Sequence, residues 1–433
     1  MTALNEHDLI NLNKTYHTNQ SSLHFIYGAS KSGKTTFIKD FMVKKNILYL
    51  SFSNMIPSIL FPNIATLIAK KFNIKTSYQL YKSFQNILLL LDELISDEKI
   101  TLVFDNFENL TKVEKDTFNI LFKIWNNNLK SKNIQLIILS SIKFDDNINK
   151  KINKFSTYDI NIQKIYFADM IQKSDAKIFD KIYIHACFGS SNYILSSYDK
   201  KLDFIKNLYK ISMNPHSSHF NFGIDYLKIN LSDITTYASI LHAIAIGNNK
   251  IAQIASLLDV DSTYLSRYLK KLQDLMIIKK YLPLKDNHKF SKLGRYHIEN
   301  NFLKFWFCYI YPNQTNLIMK RHSLVIKQID STIVENMILP VYISLLKKLL
   351  KDHCLSFLGY EPKYIDSWWD NNGNSIDIIS YNSSQITFVK VLWEAKEDTK
   401  KEYEELESTA QHYKSTLKRN YIIITKNTYL NNF

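Results

Sequence analysis

Residues Gly28, Ala29, Ser30, Lys31, Ser32, Gly33, Lys34, Thr35 and Thr36 carry the spacing G-x-x-x-x-G-K-T. Such a loop curls its backbone N–H groups around a phosphate chain, with the lysine on the β- and γ-phosphates and the threonine hydroxyl on Mg2+. A second chemical signal is Asp105, at the end of an apolar run in KITLVFDNFENL, residues 99 to 110. A buried strand ending in aspartate is the second half of a phosphate-loop nucleotide site, its carboxylate holding Mg2+ through water. Ser140 ends a third apolar run, IQLIILSSI. It is either a sensor of the terminal phosphate or a serine that closes the strand.

These residues need a frame that brings strand ends together. Leu23 to Tyr27 reads as a buried strand running into the loop, and a helix from Thr35 adds the positive end of its dipole. KNILYLSFS (45 to 53) is a second strand, with helical segments around 60 to 72 and 77 to 95 and from Val113 to Asn127. Alternating strands and helices from 23 to 165 predict an α/β class, a doubly wound parallel sheet with ligands at its carboxyl edge. Residues 168 to 212 read as helical and would form a small lid.

From Tyr237 the texture changes to helix, a turn at Gly247, helix, longer helix and two short strands, the order of a winged helix-turn-helix. Leu265, Tyr268, Leu269, Leu272 and Leu275 share one face of the third helix. Ser262, Thr263, Ser266, Arg267 and Lys270 fall on or near the other, and Lys279, Lys280, Lys285 and Lys289 would meet phosphates. This module either contacts duplex DNA or serves protein contacts alone.

The last third reads helix (331 to 351), strand, strand with Asp377, strand with a charged end, helix, strand. That is the order of a restriction-endonuclease-like core, in which an acidic pair holds Mg2+ and a lysine orients water. Asp377 fits the first carboxylate or is an ordinary edge residue, Glu335 is the candidate helical acid, and Glu394 and Lys396 offer an E-x-K pattern.

The chain has 433 residues, 45% of them apolar, and a formal charge of +15; its pI is near 9.3. Such composition excludes a disordered chain and favours an acidic partner, nucleic acid before an anionic membrane surface. Richness in Lys, Asn and Ile with only four arginines is also what an AT-rich genome produces, which weakens the inference from charge. Cys187, Cys308 and Cys354 form no C-x-x-C pair. With no signal-peptide pattern and no run approaching 18 apolar residues, the expectation is a cytoplasmic protein without a membrane span.

Several runs together resemble the archaeal-type ATPases of the AAA/STAND class that carry a C-terminal domain of unknown function. They are YGASKSGKTT, LVFDNFENL, YASILHAIAIGNN with LSRYLKKLQDLMIIKKYLP, YHIENNFLKFWFCYIYPN, and GYEPKYIDSWW with SIDII and VLW. The resemblance implies ATP and Mg2+ as ligands, a nucleic-acid-type winged helix and a nuclease-like last domain. Departures accompany it. Asn106 follows Asp105 where the family has a water-activating Glu, so hydrolysis is expected to be slow unless Glu108 substitutes. No arginine precedes Arg267, so the ATPase core supplies no arginine finger in cis. The lid turn reads FGSSNY, with Ser191 in place of proline. Where the family has Glu-Cys-Lys-Trp, alignment on Trp393 places Lys390, Val391 and Leu392.

The expected organisation is a phosphate-loop ATPase core at 1–165, a helical lid at 166–215, a winged helix at 216–295 and a degenerate nuclease-like domain at 296–433. The expected function is an ATP-binding, slowly hydrolysing switch that partners DNA, or another protein through the winged helix or last domain. Its rivals are an active ATP-dependent nuclease and a protein scaffold that never touches nucleic acid.

Overall fold

A computed structural model describes residues 6–75, 77–114, 116–144, 146–162, 178–286, 291–394 and 399–426. The chain divides into two compact units. One comprises residues 1–169, 191–193 and 272–276, the other residues 170–190, 194–271 and 277–433.

The first unit is built on five strands, β1 (Ser22–Tyr27), β2 (Ile47–Ser51), β3 (Ile100–Asp105), β4 (Ile134–Ser140) and β5 (Tyr158–Asn161), all parallel in the order β2-β3-β4-β1-β5. Parallel strands are covered on both faces, which is why β3 and β4 are buried along their whole length. Alternate residues serve opposite layers. Leu23, Phe25, Leu50, Leu102, Phe104, Leu136 and Ile138 pack with α3 (Pro57–Phe72), α4 (Phe84–Leu94), α5 (Phe107–Val113) and α6 (Thr117–Asn127). Ile26, Val103, Ile137 and Leu139 face Leu12 of α1 (Glu6–Tyr16) and Phe37, Ile38 and Phe41 of α2 (Lys34–Met42). The molecule is thus α/β with a five-stranded parallel sheet. The helix expected over 113–127 is α6, which starts only at Thr117 because Glu114 is extended at the end of a separate helix, α5, and Asp116 precedes the next.

Among the described residues, the second unit begins with the helix Ile178–Phe188. Three helices, Ile234–Ala245, Ile251–Leu258 and Ser262–Asp274, lead to an antiparallel hairpin of β6 (Ile278–Tyr281) and β7 (Arg295–Ile298). Gly247 turns the chain between the first two at φ 103°, a conformation that favours glycine. A Cβ at Gly223 would lie 2.1 Å from the Trp306 ring, so only glycine admits that indole, whose N–H donates to the Phe220 carbonyl at 2.8 Å.

A mixed sheet follows, β8 (Tyr364–Trp369), β9 (Ser375–Tyr381), β10 (Gln385–Leu392) and β11 (Lys418–Thr425), ordered β11-β10-β9-β8. Its first two pairings are antiparallel, and β11 joins β10 in parallel after the helix Thr399–Gln411. The helix expected at 331–351 is realised as His322–Ile333, a π-helical turn at Val334–Ile338 and Leu339–Asp352. No helix among the described residues is long and apolar enough to cross a membrane.

Candidate nucleotide site

Because every strand of the first sheet runs the same way, the segments after β1, β3 and β4 emerge at one edge. Tyr27 pairs with Ser140, and Ser51 with Asp105. The Gly28 amide donates to the Ser140 carbonyl at 3.2 Å, anchoring the start of the loop. The turn that follows needs left-handed backbone at Lys31 (φ 61°) and Gly33 (φ 100°). A Cβ at Gly28 would meet Ser32 Oγ at 2.5 Å. Ser32 Oγ is itself buried without a hydrogen-bond partner. Helix α2 begins at Lys34, so its first-turn amides have no intrahelical acceptor.

Lys34 is turned into the loop. Its ammonium donates to the carbonyls of Gly28 at 2.6 Å and Ala29 at 3.1 Å and is only 8% exposed. Burial brings its pKa down to about 8, against the opposing pull of the Glu108 and Asp105 carboxylates. Thr35 is exposed and Thr36 half-buried. Ser191, in the turn where a proline was expected, donates its hydroxyl to the Lys31 carbonyl at 3.0 Å, and the Lys31 ammonium sits 5.0 Å from the Tyr193 ring.

Asp105 has both carboxylate oxygens engaged. Oδ1 accepts from the Asn106 amide at 2.8 Å, and Oδ2 accepts from the Tyr49 phenol. Asn106 adopts a left-handed conformation (φ 55°), which asparagine tolerates better than glutamate, and its amide donates to Ser51 Oγ at 3.0 Å. Glu108 is 5% exposed, and its Oε2 accepts from the Ser141 backbone amide at 3.2 Å. Ser140 Oγ donates to the Ile142 carbonyl at 2.9 Å and accepts from the Ile142 amide at 3.2 Å, so this hydroxyl closes the turn after β4. Sequence reasoning did not single out Tyr49, which contacts Asp105 here.

The other predicted residues are more dispersed. Ser262, Thr263, Ser266, Arg267, Lys270 and Lys279 are exposed and Lys280 half-buried. Several are already engaged. Arg267 stacks on Tyr264 and Tyr268 at 5.0 and 4.8 Å and donates to the Tyr268 hydroxyl. Lys280 donates to the Ser291 carbonyl, Lys279 lies 4.7 Å from the Tyr281 ring, and Lys285 lies 4.8 Å from both Tyr381 and Tyr413. Lys289 and Lys396 fall outside the described residues.

Among the described residues no group of three or more His, Cys, Asp or Glu could hold a metal ion. Glu335 is exposed on a π-helical turn. Asp377 Oδ2 accepts from the Val391 amide at 2.8 Å, and burial raises its pKa. Glu394 pairs with Lys426 at 2.7 Å. Lys390 reaches Glu402 and Glu405 at 2.6 and 2.7 Å, so an ammonium sits among these acids.

A family model described as archaeal and bacterial proteins of unknown function matches residues 306–405. An uncharacterized protein of Methanocaldococcus jannaschii is 27% identical over 430 residues, covering 93% of this chain and 90% of its own. Among solved structures, the Aeropyrum pernix ORC2 protein in ADPNP and ADP complexes aligns with 73% of this chain and 94% of its own, at 11% identity and a TM-score of 0.39. A Pyrococcus horikoshii signal-transduction ATPase with numerous domains, bearing a tetratricopeptide-repeat sensor, covers 74% of this chain at 13% identity and a TM-score of 0.30. This chain spans 45% of it.

Proposed function

We propose that the first unit binds a nucleoside triphosphate with Mg2+, hydrolyses it slowly, and uses its occupancy to switch the presentation of a DNA-binding winged helix. The observation that carries this reading is the Lys34 ammonium, buried in a glycine-bounded loop beside two carboxylates and hydrogen-bonded to the main-chain carbonyls of Gly28 and Ala29. A cation held that way is poised to exchange carbonyls for phosphate oxygens. Thr35 and Asp105 would hold Mg2+, which supplies charge neutralisation at the phosphates, and the start of α2 would meet the phosphate tail. Glu108, buried at the Ser141 amide, would orient water in place of the glutamate that Asn106 replaces.

The helices at 234–245, 251–258 and 262–274 with the β6–β7 hairpin support a winged helix whose exposed Ser262, Thr263, Ser266, Arg267 and Lys270 face a DNA groove. The mixed sheet β8 to β11 supports a nuclease-like core, which we read as inactive because Lys390 stands where a metal-binding acid would be.

Titration calorimetry with ATP and Mg2+ tests the central claim. Wild type should take up one equivalent, and Lys34→Ala should weaken uptake by at least about a hundredfold, given about 1.5–3 kcal/mol for each of the charge-assisted bonds lost. Absence of uptake by wild type, or equal uptake by both, overturns the reading.

A further inference from the structure

Nothing in the spacing of the motif involves β2, yet β2 sends a side chain into the place the motif reserves for a metal. In this strand Leu48 and Leu50 are buried in one hydrophobic layer, and Tyr49 points to the opposite face, packing against the layer that contains α2. Tyr49 is paired with Val103, two residues short of Asp105. Two residues of strand amount to about 6–7 Å, which is about the reach of a tyrosine side chain. The phenol therefore arrives at the level of Asp105 and donates to Oδ2. Asp105 is one of the two side chains proposed to hold Mg2+.

We propose that Tyr49 is a latch on the metal position. Its phenol holds Oδ2 of Asp105, and it must release that oxygen before Asp105 can hold Mg2+. The inference rests on the proposed nucleotide reading and adds a regulatory residue to it. Mg2+ keeps several waters, and a water of the ion would need the Asp105 oxygen that the phenol holds. Asp105 Oδ1 is occupied independently by the Asn106 amide, leaving Oδ2 as the oxygen over which phenol and ion compete.

Tyr49→Phe removes one oxygen and keeps the ring that packs against α2. Binding of a non-hydrolysable ATP analogue is measured by calorimetry on the full chain, first in EDTA and then at stepped free Mg2+. We expect the same affinity for both proteins in EDTA, and a half-saturating Mg2+ concentration about tenfold lower for Tyr49→Phe, the scale of one hydrogen bond to a charged group. An unchanged or higher Mg2+ requirement, with the analogue still bound, overturns the latch and leaves the nucleotide site standing. Failure of wild type to take up the analogue in either condition overturns the nucleotide reading, and the latch with it.

Discussion

Glu108 is the residue at which binding and turnover should separate. It is buried beside Lys34, and its carboxylate accepts the Ser141 amide through Oε2. Glu108→Gln preserves an oxygen acceptor for that amide but cannot accept a proton. Nucleotide affinity should stay within about threefold while phosphate release in a single turnover falls by about a hundredfold, the usual worth of a general base. Equal release rates would remove Glu108 from the chemistry. Lys34, Thr35 and Asp105 could be nominated from the sequence because phosphate binding demands particular residue types at fixed spacing, and the strands carry them to one edge of the sheet. Glu108 was visible only as the nearest acid after Asn106. Tyr49 was not visible, since a strand tyrosine becomes a site residue only when Ser51 is registered against Asp105. Ser140 had two readings from the sequence, and its hydrogen bonds to Ile142 support the local one.

The long, apolar elements of the first unit follow their sequence closely, because strands buried on both faces must be continuously apolar. The polar four-residue β5 gave no such signal and is placed by pairing with β1 alone. In the second unit the strand carrying Lys390 depends on its neighbouring helix. Lys390 bridges Glu402 and Glu405, which lie three residues apart on the helix Thr399–Gln411, and Glu402 is only 3% exposed. Removing the cation strands a buried carboxylate, so Lys390→Met should destabilise the second unit by about 3 kcal/mol. Adding Glu402→Gln should recover most of that loss, because the uncompensated charge is gone. Urea unfolding of the two variants checks this; a double variant no more stable than the single one would show that packing, and not charge, sets the cost.

Acid should weaken both units, through histidines held neutral. His24 in β1 is fully buried, with Nε2 3.2 Å from the Thr15 hydroxyl, and burial lowers its pKa from 6.5 to about 4, with Lys99 adding to the effect. His185 and His297 in the second unit are each lowered to about 4, again chiefly by burial. A group whose folded pKa lies below its unfolded value binds protons first in the unfolded chain. Its stabilising contribution is complete above pH 6.5 and is lost as pH falls toward 4. By pH 5 the loss from His24 amounts to about 2 kcal/mol, taking 1.36 kcal/mol per pKa unit. The chain already carries a formal charge of +15, so further protonation also adds repulsion in the compact state. Urea midpoints should therefore hold steady from pH 8 to 7 and fall progressively from 6.5 to 4.5. His24→Gln should have a lower midpoint at pH 7 but a shallower decline below 6.5. A decline as steep as that of wild type would mean that other groups, and not His24, take up the protons on unfolding of the first unit.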